Sequence, residues 1–144
     1  MTEESETPAA DPVSGGISGA RILLVDDEEP IREFVSRALQ LSGRNVEVIV
    51  ATDGLEALEA LAARPFDLLI TDIVMPGLDG IELALKVAKD YPDVTILMMT
   101  GYSTERQRAY GLDRLIHKVV SKPFSLTQIR AAVEDALRAR AGLP

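Results

Sequence analysis

The sequence has no cysteine. That excludes disulfide staples, Cys-based zinc sites and a thiol nucleophile, and it agrees with a reducing compartment. Base is also scarce: 15 Lys plus Arg face 23 Asp plus Glu, for a formal net charge of −8. Neutralising nucleic-acid phosphates needs a basic patch, so no nucleic acid is expected as a direct partner. Apolar runs extend over only a few residues, far short of the roughly 20 that cross a bilayer, so no membrane partner is expected. The N-terminus has neither a basic stretch nor an apolar core, which excludes a secretory signal or transit peptide. A soluble, cytoplasmic protein is the expectation.

What the sequence does have is core-forming material. With 47% hydrophobic residues in 144, it has enough for one domain of ordinary size, and a disordered chain is excluded. The acid is unevenly spread. Glu3, Glu4, Glu6 and Asp11 precede the first base, Arg21, so residues 1–20 carry half of the net charge. This stretch has no aromatic residue and no periodic pattern, and it cannot bury enough surface to offset its ordering entropy. It is expected to be a disordered acidic tail, with a docking segment as the functional alternative, and the folded domain is expected over residues 21–144.

From Arg21 the pattern changes. Short aliphatic or β-branched runs at residues 22–25, 46–51, 68–71, 94–99 and 119–120 each precede a stretch of helical period. Five strands are expected to alternate with five helices. The runs at 22, 68 and 94 are apolar on both faces, as central strands of a covered parallel sheet are. Pro30 behind Glu28 and Glu29 suits a helix start. The pairs Asp53 with Glu56, Asp79 with Glu82 and Ser125 with Gln128 have capping-box spacing. Ile31, Phe34, Val35, Ala38 and Leu39 in the first helix, and Leu126, Ile129, Ala132, Val133 and Leu137 in the last, form apolar faces expected in the core. The fourth helix is expected within residues 104–112, where Gly111 interrupts it. This alternation predicts an α/β fold with a doubly wound parallel sheet, whose ligand site lies at the carboxyl ends of the strands.

Those ends are polar. Asp26 and Asp27 follow the first strand, Asp72 the third, Thr100 the fourth and Lys122 the fifth. A double Asp before a helix also serves as a cap with dipole support. Asp72 weighs against that bland reading, because it interrupts an apolar run where an uncompensated carboxylate costs several kcal/mol. Three carboxylates at neighbouring strand ends repel one another unless a cation lies between them, and an all-oxygen set suits Mg²⁺. Opposite them, a hydroxyl at Thr100 and an ammonium at Lys122 would complete what an incoming phosphoryl group requires: charge neutralisation, a hydrogen-bond donor and a deprotonated attacking oxygen.

Four motifs in order, ILLVDDE over 22–28, DLLITDIVMPGLDG over 67–80, ILMMTG over 96–101 and SKPF over 121–124, resemble the receiver domains of two-component response regulators. The resemblance implies a flavodoxin-like sheet of strand order 2-1-3-4-5. It implies Asp72 as phosphoacceptor and Asp26, Asp27, Asp72 and the carbonyl of Val74 as ligands of Mg²⁺. Thr100 is implied as the hydroxyl that moves toward the phosphoryl group, and Lys122 as the phosphate-pairing lysine before a cis Pro123. Met75, Pro76, Gly77 and Gly80 would shape the following loop. The phosphate would come from a histidine kinase or histidine phosphotransfer protein, and the protein would be an autocatalytic phosphoacceptor rather than an enzyme.

The chain departs from the family where many receivers carry a switching aromatic residue, three positions before the lysine. Val119 stands there, and the lone His117 is read as satisfied or solvated. Val74 and Tyr102 leave an attacking water few polar partners, so a long-lived aspartyl phosphate is expected. No output segment follows the last predicted helix, so a stand-alone receiver is expected. It would signal to a downstream protein through the surface of the fourth helix, fifth strand and fifth helix, with Arg106, Tyr110, Leu112, His117 and Arg130 as candidate contacts. The wording around Asp72 and Lys122 is similar to short CpdR-type regulators, which act as adaptors in regulated proteolysis; a phosphorelay shuttle or phosphate sink is the alternative. A haloacid-dehalogenase-type phosphatase would want an acid at Val74. A phosphorylation-independent pseudo-receiver would be expected to lack Asp72 or Lys122.

Overall fold

The computed structural model describes residues 19–41, 45–101, 110–112, 114–140 and 142. Along the chain come β1 (Arg21–Val25), α1 (Glu29–Gln40), β2 (Glu47–Ala51), α2 (Gly54–Ala63) and β3 (Leu68–Asp72). They are followed by α3 (Gly80–Asp90), β4 (Thr95–Thr100), a 3-10 turn (Tyr110–Leu112), β5 (Lys118–Ser121) and α4 (Leu126–Arg140). All neighbouring strands pair in parallel, in the order β2-β1-β3-β4-β5. This is the doubly wound parallel sheet expected from the alternation of strands and helices, in the flavodoxin-like order that the family resemblance implies. Four α-helices lie among the described residues; the fourth of the five expected falls at 104–112, of which only the 3-10 turn is described. Residues 1–18, Tyr102 and Arg106 also lie outside the described residues.

Strand periodicity explains why the sheet carries two cores. Side chains alternate between faces, so Ile22, Leu24, Leu68, Ile70, Leu97 and Met99 pack with Val35, Ala38 and Leu39 of α1 and with Ile129, Ala132, Val133 and Leu137 of α4. Their neighbours Leu23, Val25, Leu69, Ile96 and Met98 pack on the other side with Ala57 and Leu61 of α2 and Leu83, Ala84 and Val87 of α3. Two members of the expected helical core stand apart. Phe34 is 38% exposed and Leu126 is 37% exposed. Phe34 adjoins Val35 in sequence and therefore points about 100° around the helix from it. Its ring meets that of Phe124, centroids 6.1 Å apart, in the loop after β5. Leu126 is the first residue of α4, at the margin of the packed stripe.

The helix starts follow their local chemistry. Asp79 and Glu82 form a reciprocal capping box at α3, with the Glu82 amide donating to Asp79 Oδ1 at 2.9 Å and the Asp79 amide to Glu82 Oε1 at 3.1 Å. Ser125 and Gln128 do the same ahead of α4, at 3.0 and 2.8 Å. At α2 the box is offset: Asp53 accepts from the Glu56 amide, but Glu56 reaches back to the Thr52 amide instead. At α1 the preceding residue, Glu28, makes no side-chain cap. Its side chain is used elsewhere.

Candidate functional site

Three strand ends and one adjoining loop bring the expected residues together. Asp26 directly follows β1 and is fully buried, Asp72 closes β3 at 7% exposure, and Thr100 closes β4 at 2%. Asp26 and Asp72 continue the parity of Leu24 and Ile70, and Lys122 that of Val120, so all three approach on the α1/α4 side of the sheet. Thr100 has the opposite parity, that of Ile96 and Met98. Asp27 is exposed, yet Asp26, Asp27 and Asp72 each present a carboxylate oxygen within 4.8 Å of the other two.

Lys122 binds this cluster. Its Nζ donates to Asp26 Oδ2 at 3.0 Å and lies 3.4 Å from Asp72 Oδ2 and 3.8 Å from Glu28 Oε1. Asp26 Oδ1 accepts the Glu28 amide at 2.9 Å, and Asp72 Oδ1 accepts the Ile73 amide at 2.9 Å. The Lys122 amide donates to the Thr100 carbonyl at 2.7 Å, and the Lys122–Pro123 peptide is cis. Behind Asp72, Gly80 donates its N–H to the Ile73 carbonyl at 2.8 Å. A Cβ on Gly80 would lie 1.9 Å from the Asp72 carbonyl oxygen, so only glycine permits this approach.

Asp27 and Asp72 open onto a cavity of about 510 Å³ whose walls include Glu28, Ile31, Val74, Gly101 and Pro123. Burial pushes the Asp72 carboxyl up to about 6; Lys122 opposes the rise, the charge of Asp26 adds to it, and the Ile73 hydrogen bond opposes it. Burial works against the charge of Lys122, but the Asp26 hydrogen bond and the charges of Asp72, Asp26 and Glu28 outweigh it and raise its pKa. One ammonium thus faces several carboxylates. The oxygen-only donor set and the excess of negative charge fit a hard divalent cation such as Mg²⁺, which Asp26, Asp27 and Asp72 would hold.

Sequence reasoning missed two contributors. Glu28 reads locally as a helix-dipole acid, but its side chain turns to Lys122. Arg32, in the first turn of α1, donates from Nη1 to the Asp26 carbonyl at 2.8 Å. A cation beside a helix N-terminus is unfavourable in isolation, and that mismatch was the available signal. His117, expected to be satisfied or solvated, pairs through Nε2 with Asp135 Oδ2 at 2.7 Å. Leu112, among the candidate contacts, is instead half-buried against the α2/α3 core.

A flavodoxin-like sheet with acids at the ends of its inner strands and a lysine facing them defines a domain of the phosphoacceptor class. The family model for the response regulator receiver domain matches residues 22–134, and the chain belongs to that family, whose members accept phosphate and bind Mg²⁺ at an acidic pocket. Response regulator MprA of Mycobacterium leprae is 38% identical over 118 residues, which are 82% of this chain and 51% of that protein. The chain therefore spans about half the length of the curated relatives it matches. The CheY-like receiver domain protein of Methanospirillum hungatei JF-1 superposes with a TM-score of 0.77 at 28% identity, covering 85% of this chain and 97% of the other. Response regulator protein TrrA of Thermotoga maritima, in complex with Mg²⁺-BeF, gives a TM-score of 0.72 at 35% identity, covering 81% and 98%. No helix among the described residues is long and apolar enough to cross a membrane.

Proposed function

We propose that this chain is a response regulator receiver that takes a phosphoryl group onto Asp72 from a histidine kinase or histidine phosphotransfer protein. The observation that carries the reading is the Asp72 carboxylate, 7% exposed, with Lys122 Nζ 3.4 Å from its Oδ2 and two further carboxylates beside it.

In the reaction, an Asp72 carboxylate oxygen forms the new O–P bond while the donor's N–P bond breaks. The electron pair leaves with the imidazole nitrogen, which solvent protonates. Lys122 pairs with a non-bridging phosphoryl oxygen, leaving Asp26 to do so. The Thr100 hydroxyl donates to another, and the tight link between the Lys122 amide and the Thr100 carbonyl couples the two movements. Asp26 and Asp27, with Asp72 and the Val74 carbonyl, would hold Mg²⁺, which when bound supplies positive charge at the phosphoryl oxygens. No separate base is needed once Asp72 is ionised, and the chain turns over nothing by itself.

Output runs through a protein-binding face built on β5, α4 and the segment before β5, directed at a downstream protein and at no nucleic acid. A groove of about 590 Å³ along that face is lined by Lys118, Val120, Phe124, Gln128, Ala131 and Asp135, among others. The domain itself takes in Ala20, which is buried in the core on the α1/α4 side and whose carbonyl accepts the Glu47 amide at 2.9 Å.

The test is incubation with Mg²⁺ and a small phosphodonor, or with beryllofluoride, followed by mass and amide shifts for wild type and Asp72→Asn. A stable adduct in wild type alone is the expected result. Rapid turnover with phosphate release would mark a phosphatase, and no response would mark a pseudo-receiver; either overturns the reading.

A further inference from the structure

We propose that Arg32 is a positioning residue that holds the β1–α1 turn so that Asp26 and Asp27 face the cation site, an inference that rests on the phosphoacceptor reading above. Arg32 is not among the cavity-lining residues, and its guanidinium reaches the pocket through the main chain. Nη1 donates to the Asp26 carbonyl at 2.8 Å, while the Arg32 amide donates to the Glu28 carbonyl at 3.2 Å. The Glu28 amide in turn donates to Asp26 Oδ1 at 2.9 Å. These three bonds close a ring around residues 26–32, and Asp27 lies inside it.

The Asp26 end of that ring is where precision matters. Asp26 is fully buried, and its other carboxylate oxygen holds Lys122. A charge-assisted hydrogen bond to its carbonyl fixes the direction in which the next residue, Asp27, leaves the strand. Without it, Asp27 is tied only through its neighbours and can turn toward solvent, where it is already exposed. Half-buried placement in the first turn of α1 opposes the helix dipole, so the local helix gains nothing from a cation here. The acidic turn does.

Charge and positioning predict opposite outcomes. If Arg32 contributed only a positive charge, removing it would tighten cation binding. If it positions the turn, removing it weakens binding, by on the order of tenfold, as losing a group that orients a metal ligand does.

The test compares wild type, Arg32→Met and Arg32→Lys by the ¹³C shift of the Asp26 carbonyl in metal-free protein and by Mg²⁺ titration of the Asp26 and Asp27 amides. Arg32→Met is expected to move the carbonyl upfield and raise the Mg²⁺ Kd on the order of tenfold, with Arg32→Lys recovering most of both. A simple loss of fold stability would leave the Kd of the folded protein in place. Should Arg32→Met fail to fold, Arg32→Gln, polar but shorter, replaces it with the same expected loss. Unchanged or tighter binding in the donor-less variant, with wild type binding normally, overturns this proposal alone. Absence of Mg²⁺ binding in wild type overturns the phosphoacceptor reading and this proposal with it.

Discussion

Lys122 donates its hydrogen bond to Asp26 at 3.0 Å and stands farther, 3.4 Å, from Asp72. In the metal-free protein the ammonium therefore serves the fully buried acid first. Removing it leaves Asp26 without its cation. Lys122→Met is expected to destabilise the metal-free protein by on the order of 3 kcal/mol, the usual scale for stripping one partner from a buried pair. Mg²⁺ should then return more stability to the variant than to wild type. Thermal melts with and without Mg²⁺ check both statements.

Asp72 gives a pH signature. Its pKa is raised from 3.8 to about 6 by burial first of all, so between those values the native state holds a proton that the unfolded chain has lost. Stability of the metal-free protein falls as pH rises through that window. The penalty is absent below pH 3.8 and complete above pH 6, and the shift from 3.8 to about 6 sets an upper bound of about 3 kcal/mol. Asp72→Asn should accordingly be the more stable protein at pH 7.5 without Mg²⁺, with the gap closing toward pH 3.5. Denaturant midpoints across that range measure it.

Mg²⁺ binding should show the same group from the other side. A cation must displace the proton from Asp72, so binding weakens as pH drops below about 6 and releases protons there. Calorimetry in two buffers of different ionisation enthalpy reads the proton count.

Gly80→Ala sets a methyl group 1.9 Å from the Asp72 carbonyl oxygen. The obstacle is backbone, which cannot swing aside as a side chain can. A loss of about 2 kcal/mol or more is expected, together with displaced amide shifts for Asp72 and Ile73. Thermal unfolding and an amide spectrum check the two parts.

Val74 is 47% exposed and lines the cavity two residues beyond Asp72. An apolar wall offers an attacking water no hydrogen bond, so the proposed aspartyl phosphate should persist well beyond seconds. Val74→Asn, which can orient a water, should shorten its life. Intact mass followed over time after removal of the phosphodonor decides; equal lifetimes refute the role given to Val74.

Much of the architecture is legible in the sequence. Runs such as Leu68 to Ile70 are apolar on both faces, and only a sheet covered on both sides accommodates them. Asp79 and Glu82 announce their helix because a capping box is made within four residues. Phe34 was misread because a 3.6-residue stripe does not say where the sheet beneath it ends. Glu28 and Arg32 were missed for a related reason: near a helix start, local electrostatics offer a sufficient account of an acid. The hydrogen bond between Lys122 and Asp26 spans 96 positions and follows only from strand order, which no local pattern contains.

That same span has a consequence for biosynthesis. β1 and β5 are not neighbours in the sheet; β3 and β4 lie between them, and Lys122 reaches over both. A chain emerging from the ribosome presents Asp26, Asp27 and Asp72 long before Lys122, the ammonium that pairs with Asp26 and Asp72. Its pocket is complete only when the last strand has joined the sheet, so competence to receive a signal coincides with completion of the fold.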